Sequence, residues 1–275
     1  MALSAHTRES AGGSARGKRL PAAQRHSRLL RYLHQKHFAD VNELTSQLNV
    51  SVATIRRDLS ELEKSGLLSR IHGGAVAAPQ VTTDYDASIR ETMNLEEKKR
   101  IAKAAAQLVV DDDTVMIDSG TTSRQVAEFL ADNQTLTFVT NGIDVFLTLV
   151  AKGCYRIHFI GGEWVPINRS FGGNLAVETA RKFTVDKAFL SVAAVDVKRG
   201  QICTLHPQIG CVQQMMIESA NTVIVVADYS KFGRAALSVI TSLNTIDYIV
   251  TDDKARPRIA SLPEAVKRKF IIAEE

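Results

Sequence analysis

The sequence predicts an α/β protein of two modules: a small N-terminal winged helix-turn-helix and a larger Rossmann-like α/β domain on a mainly parallel sheet. Three observations carry this expectation. The first is size, because 275 residues exceed one ordinary domain, and 45% apolar with 23% charged residues suffice for two cores without metals or disulfides. The second is a change of pattern, from short helical segments before residue 76 to alternating strand-like and helix-like segments after residue 97. The third is charge: residues 1–80 carry 12 Lys and Arg against 6 Asp and Glu, and the remainder carries 22 against 24. A basic small module joined to a slightly acidic large one suits a nucleic-acid reader attached to a sensor.

Residues 1–20, rich in Ala, Ser, Gly and basic side chains, read as a flexible tail able to touch phosphates. The first module spans 21–76. Leu29, Leu30 and Leu33 recur at helical spacing from Ala22 to Lys36, and Val41, Leu44 and Leu48 share one face of a short second helix. Asn49-Val50 makes the turn, and Ser51 begins a third helix as its N-cap, a side chain able to accept from an orphan amide. On that helix Val52, Ile55, Leu59 and Leu62 fall in one sector and are expected to face the core, leaving Ala53, Thr54, Arg57, Ser60 and Lys64 outward.

A short helix, a tight turn and a second helix with small polar and Arg residues near its start is the geometry that enters a major groove. Arg reads guanine edges, while Thr and Ala can touch thymine methyls. Leu67–Ile71 then reads as a strand before a Gly73-Gly74 turn, placing Arg70 and His72 on a wing beside the backbone or minor groove. The candidate DNA-binding residues are Ser51, Thr54, Arg56, Arg57, Ser60, Arg70 and His72. Asp58 would repel phosphate and is expected instead to be a helix-internal partner for a basic side chain.

Residues 77–96 lack a sustained apolar period and read as a linker, with the second domain at 97–275. A helix from Glu97 to Val110 precedes the strand Thr114–Ile117, then the loop Asp118-Ser119-Gly120-Thr121-Thr122 and a helix about Ser123–Leu130. This is a phosphate cradle: Gly lets the backbone approach, hydroxyls donate, and amides at a helix start point at the anion. Further apolar runs at 136–139, 157–160, 187–190, 223–227 and 246–250 each end in small or polar residues. Ligands of such sheets collect outside the carboxyl ends of the strands.

Arg25 to Ala75, above all Thr54-Ile55-Arg56-Arg57-Asp58-Leu59 and Arg70 with His72-Gly73-Gly74-Ala75, resembles the DNA-binding domain of DeoR-type repressors. Residues 97–275 look like the effector domain of the same family, which is similar in fold to ribose-5-phosphate isomerases. The resemblance implies a transcriptional regulator of carbohydrate or sugar-acid catabolism. It would bind double-stranded operator DNA and respond to a phosphorylated sugar or sugar-acid effector. By that match Asp118, Gly120, Thr121 and Thr122 would hold the effector, with Thr140, Asn141, Gly161, Gly162, Asp186 and Lys231 also lining the cleft.

One departure stands out. Where the family carries acidic residues followed by a Lys-Arg pair, this chain reads Pro207-Gln208-Ile209-Gly210-Cys211-Val212-Gln213-Gln214. Losing the carboxylate removes a general base for isomerisation, which weakens the alternative of an isomerase-like enzyme with an accessory DNA-binding domain. It also points to an atypical effector; His206 nearby is read as structural.

Cys154, Cys203 and Cys211 form no Cys-x-x-Cys pair, so neither a zinc site nor a disulfide framework is expected, and no cofactor is called for. The odd count fits a reducing cytoplasm. No segment approaches the roughly 20 apolar residues of a membrane span. A single helix-turn-helix reads about one half-site, so a homodimer or homotetramer is expected.

Overall fold

A computed structural model of the chain describes residues 21–36, 38–64, 67–71, 73–77 and 87–274. The expected flexible tail, and His72 with its place on the wing, lie outside the described residues. The small module comprises α1 (Ala22–Lys36), β1 (Phe38–Asp40), α2 (Val41–Leu48), α3 (Val52–Lys64), β2 (Leu68–Ile71) and β3 (Gly74–Ala77). Leu29, Leu30 and Leu33 of α1 close against Leu44, Leu48, Ile55, Leu59 and Leu62, all buried, because each helix presents its apolar residues at three- and four-residue spacing.

Ser51 caps α3 as expected, and Asp40 caps α2, which the sequence reading did not single out. The Glu43 amide donates to Asp40 Oδ1 at 2.8 Å at the start of α2, and Asn49 ends that helix in the left-handed region at φ 51°. The Thr54 amide donates to Ser51 Oγ at 3.3 Å, which makes Ser51 the N-cap of α3. Val52, expected in the core, is instead 37% exposed. It is the first residue of α3, at the open end of the helix, where its sector is only partly covered. The wing is a three-stranded antiparallel sheet in the order β1-β3-β2, pairing Arg70 with Ala75. Strand β1 has three residues with only Ala39 buried, too short an alternation to announce itself.

Part of the expected linker is helical: α4 (Ala87–Thr92) precedes α5 (Leu95–Ala106). The large module continues with β4 (Thr114–Ile117), α6 (Thr121–Leu130), β5 (Thr137–Thr140), α7 (Ile143–Ala151) and β6 (Ile157–Phe159). Then come β7 (Glu163–Val165), β8 (Ser170–Gly172), α8 (Gly173–Ala180), β9 (Val185–Ser191), β10 (Ala194–Asp196) and β11 (Gln201–Thr204). The helix α9 (Pro207–Ser219) leads to β12 (Ala220–Val226), β13 (Ser238–Ser242), β14 (Tyr248–Asp252) and β15 (Phe270–Ala273).

Seven of these strands form one parallel sheet in the order β15-β14-β12-β9-β4-β5-β6. Val115, Ile117 and Phe138 on one face meet Ile101, Val126 and Val145 of α5, α6 and α7. Met116, Val139 and Ala188 on the other face pack with Ala176 and Val212 of α8 and α9. Helices on both faces explain why the strands read as continuous apolar runs rather than alternating ones. Strands β10, β11 and β13 form a separate antiparallel sheet that the sequence pattern did not foretell. The order of strands turns back between β4 and β9, so the loops after these two strands diverge to opposite sides and leave a crevice at their carboxyl ends.

Candidate nucleic-acid interface and ligand cleft

On α3 the side chains of Ala53, Arg56 and Arg57 are exposed, and Thr54 and Ser60 are half-buried. Arg57 joins Arg25, Asn49, Ser51 and Thr54 around a concave groove between α2 and the start of α3. Two guanidiniums and several small polar side chains in a concave wall suit the phosphate backbone and base edges of a duplex. The Ser51 hydroxyl is engaged by the Thr54 amide and lies 2.9 Å from Thr54 Oγ1, so its first task is to shape the helix start. On the wing Arg70 is exposed, its amide donates to Glu63 Oε1 at 3.0 Å, and its guanidinium stands 4.0 Å from the same carboxylate. Asp58 points inward, as expected, but its basic partners come from α1 rather than from its own helix.

The second candidate site is the crevice between β4 and β9. Asp118, Ser119, Ser191, His206 and Gln213 line it together with Arg90 of α4. Asp118 is fully buried. Gln213 Nε2 donates to Asp118 Oδ2 at 2.6 Å and to the Ser191 carbonyl at 2.8 Å, and the Ser119 amide donates to Asp118 Oδ1 at 2.7 Å. Burial nevertheless pushes the Asp118 carboxyl up to about 7, because these donors recover only part of the lost hydration. Gln213 Oε1 is buried with no hydrogen-bond partner among the described residues.

Gly120 turns the chain from β4 into α6 at φ 126°, and a Cβ there would sit 2.7 Å from Ser191 Cβ. Ser191 Oγ in turn accepts from the Ser123 amide at 3.1 Å, so the loops after β4 and β9 are stitched together at the mouth of the crevice. Arg90 Nη2 donates to the Ile167 carbonyl and to Asn168 Oδ1, both at 2.9 Å, which brings the 166–168 turn to the opposite rim.

The structure gathers some of the expected effector residues and scatters others. Asp118 lines the crevice, and Gly120, Thr121 and Thr122 begin α6 beside it. Thr140 and Asn141 are completely buried: Thr140 Oγ1 accepts from the Gly142 amide, and Asn141 Nδ2 donates to the Phe171 carbonyl, so both brace the neighbouring loop. Gly161 and Gly162 sit in the turn after β6, where Gly162 approaches Gly172 and Ala176. Lys231, beyond the end of β12, faces buried Asp228 and helps hold that carboxyl below its usual range against the upward push of burial. Asp186 is at the wrong end: it opens β9 and accepts from the Thr114 amide at 2.9 Å, at the amino ends of the strands. Its residue type resembled a ligand-holding carboxylate, but its strand position makes it a fastener between β4 and β9.

Arg90, Ser191 and Gln213 are the residues that sequence reasoning missed. Ser191 ends an apolar run and could have been found from that alone; Arg90 lay in a segment read as a linker. Gln213 was visible only as a departure from a basic residue, with no sign of what it faces.

The residues 25–81 match the model of the DeoR-like helix-turn-helix domain, and 93–253 match that of the DeoR C terminal sensor domain. The chain is 44% identical over 249 residues to the transcriptional repressor AccR of Agrobacterium fabrum, covering 90% of this chain and 96% of that protein. It is 33% identical to the glycerol-3-phosphate regulon repressor of Escherichia coli K12, covering 83% of this chain and 90% of the other. A ribose 5-phosphate isomerase from Methanocaldococcus jannaschii aligns over 52% of this chain and 55% of its own, at 15% identity and a TM-score of 0.39. No described helix is long and apolar enough to cross a membrane. With both modules matched in order, and full-length relatives at this identity, the chain belongs to the DeoR family of transcriptional regulators.

Proposed function

We propose that this chain is a repressor of a carbohydrate or sugar-acid catabolic operon whose grip on operator DNA is set by a phosphorylated sugar or sugar acid in the β4–β9 crevice. The observation that carries the reading is the union in one chain of an exposed Arg56-Arg57 face on α3 with a polar crevice at the sheet's switch point. Relatives named for glycerol-3-phosphate and aga operon control support that class of effector. A reader of one half-site per chain needs a homodimer or homotetramer to reach useful specificity.

The isomerase reading is disfavoured by the crevice itself. Asp118, its central carboxylate, is sequestered by Gln213 and Ser119 rather than held open toward a substrate carbon. The test is selection of double-stranded sequences by the purified full chain at near-physiological salt, followed by operator-binding titrations with and without a panel of sugar phosphates. The expected product is a sequence with repeated half-sites whose affinity responds to one phosphate ester, and Thr121→Val should remove the response while leaving operator binding in place. Absence of any salt-resistant sequence preference, or steady turnover of pentose phosphate, would overturn the reading.

A further inference from the structure

We propose that Arg90 is an anion-binding residue of the crevice, delivered by α4, and that through this helix occupancy of the crevice reaches the DNA-reading module. The proposal rests on the reading of the crevice as a phosphate-ester site and names the residue and the route that this reading leaves open.

The placement of α4 is the argument. The segment from α4 through Asn94 touches both modules. On the sensor side the Arg90 guanidinium enters the crevice, Lys98 Nζ donates to the Arg90 carbonyl, Glu91 pairs with Arg124 of α6, and Asn94 Nδ2 donates to Asp228 Oδ1 at 3.0 Å. On the other side Thr92 Oγ1 lies 2.9 Å from Ser27 Oγ of α1, and Met93 packs against the small module's core. A single residue, Glu91, therefore separates Arg90 in the crevice from Thr92, which touches Ser27 of the DNA-reading module. The proposed route runs from Arg90 along α4 to Thr92 and the following Met93, which contact α1 and the small core, and α1 holds α3 through Arg25 and Asp58.

The crevice also fixes what the anion must be attached to. A guanidinium takes a phosphate or carboxylate through parallel N–H donors, and at Arg90 the anion competes with the Ile167 and Asn168 oxygens that Nη2 now holds. Gln213 Oε1, a buried acceptor without a partner among the described residues, requires a donor, which a hydroxyl supplies. The ligand class is thus an anionic group carried on a polyhydroxylated chain or ring, and a bare anion satisfies only half of the site.

The experiment uses the full chain, with inorganic phosphate, ribose 5-phosphate, glucose 6-phosphate and 6-phosphogluconate as probes. Calorimetry reads binding, and fluorescence anisotropy on the selected operator reads the response. Wild type is expected to bind at least one ester more tightly than inorganic phosphate. Arg90→Met should weaken that ester by about tenfold or more, and Arg90→Lys, which keeps the charge and most of the stem, should still lose much of the affinity because the fork is gone. Should Arg90→Met melt early, Arg90→Lys decides the matter alone. The pair Ser27→Ala with Thr92→Val should bind the ester within about twofold of wild type yet lose most of the operator response.

Wild-type affinity in both Arg90 variants, with Thr121→Val still impaired, rejects Arg90 and spares the crevice. A full operator response in the Ser27/Thr92 pair rejects the route. Failure of wild type to bind any probe rejects the crevice as a phosphate site and the proposal with it.

Discussion

Arg25 of α1 holds Asp58 of α3 by two parallel hydrogen bonds, Nε to Oδ2 at 2.5 Å and Nη2 to Oδ1 at 2.8 Å. His26 Nε2 lies 3.0 Å from the same Oδ1. Asp58 is 1% exposed, and burial alone would raise its carboxyl, but the Arg25 and His26 contacts outweigh burial and hold it below the usual carboxylate value. This clamp sets the angle at which α3 leaves the core, and hence where Arg56 and Arg57 point.

Removing one partner of such a pair leaves the other desolvated without compensation. Asp58→Ala is expected to destabilise the small module by about 3 kcal/mol, and adding Arg25→Leu should recover part of the loss. Urea unfolding, followed by a probe confined to the first module, measures both. Because the folded pKa is depressed, the stabilisation is complete above the ordinary carboxylate value and fades as pH falls through the lowered one. A wild-type stability that did not fade in acid relative to Asp58→Ala would contradict the clamp.

Arg57 sits in the groove with Ser51 and Thr54, whereas Arg56 projects from the exposed flank. Arg57→Ala should therefore weaken operator binding by about 1–3 kcal/mol and relax preference at one base pair if it reads an edge. If it instead meets a phosphate, the loss should be uniform across sequences and the salt dependence should fall by about one counterion. Binding titrations over a range of salt on the operator and on single-base variants separate the two, and unchanged binding excludes both.

These outcomes follow a division in what the sequence could reveal. The helices α1, α2 and α3 were legible because their apolar spacing and caps are local, and Asp40, Asn49 and Ser51 act on residues within five positions. The parallel strands were legible because burial on both faces writes them as apolar runs. What escaped depends on distant partners. Val52 is apolar at the right angle but stands at the helix end, only partly covered; β10, β11 and β13 are short strands paired across loops; Asp186 has a functional chemistry at the structural end of its strand. Arg90 and Gln213 acquire their meaning only where α4 and α9 converge on the switch point.

The Asp118–Gln213 contact gives the crevice a dependence on pH. Burial pushes the Asp118 carboxyl up to about 7, so an approaching anion meets a neutral acid below that value and a carboxylate above it. Affinity for ribose 5-phosphate should fall from pH 7 to pH 8.5 in wild type and stay nearly flat in Asp118→Asn; Arg90 and His206 face the same crevice and are common to both proteins. The stability consequence has the opposite sign to that of Asp58. A raised acid keeps its proton in the folded state after the unfolded chain has released it, so stability declines between the ordinary value of 3.8 and about 7. Calorimetry and denaturation over the same buffers check both, and parallel profiles for wild type and Asp118→Asn would sink the assignment.

Gly120 and Gly153 separate two reasons for a glycine. Both have positive φ, 126° and 83°, but a Cβ on Gly153 meets nothing within 4 Å, whereas one on Gly120 would press on Ser191 Cβ at 2.7 Å and Ser191 Oγ at 2.9 Å. Gly153→Ala therefore suffers backbone strain alone, about 1 kcal/mol. Gly120→Ala adds the collision and sits in a region of φ and ψ that is nearly closed to other residues, so a loss of about 3 kcal/mol is expected. Relief of the collision means pushing Ser191 away from the start of α6, which breaks the Ser123 amide bond and opens the crevice mouth. Gly120→Ala should consequently abolish the operator response to phosphate esters, while Gly153→Ala, less stable than wild type but with its crevice intact, should respond normally. Thermal denaturation and operator titrations on the two variants decide it: equal losses of stability, or a normal response in Gly120→Ala, would show that the approach of Ser191 to the loop after β4 is not what shapes the site.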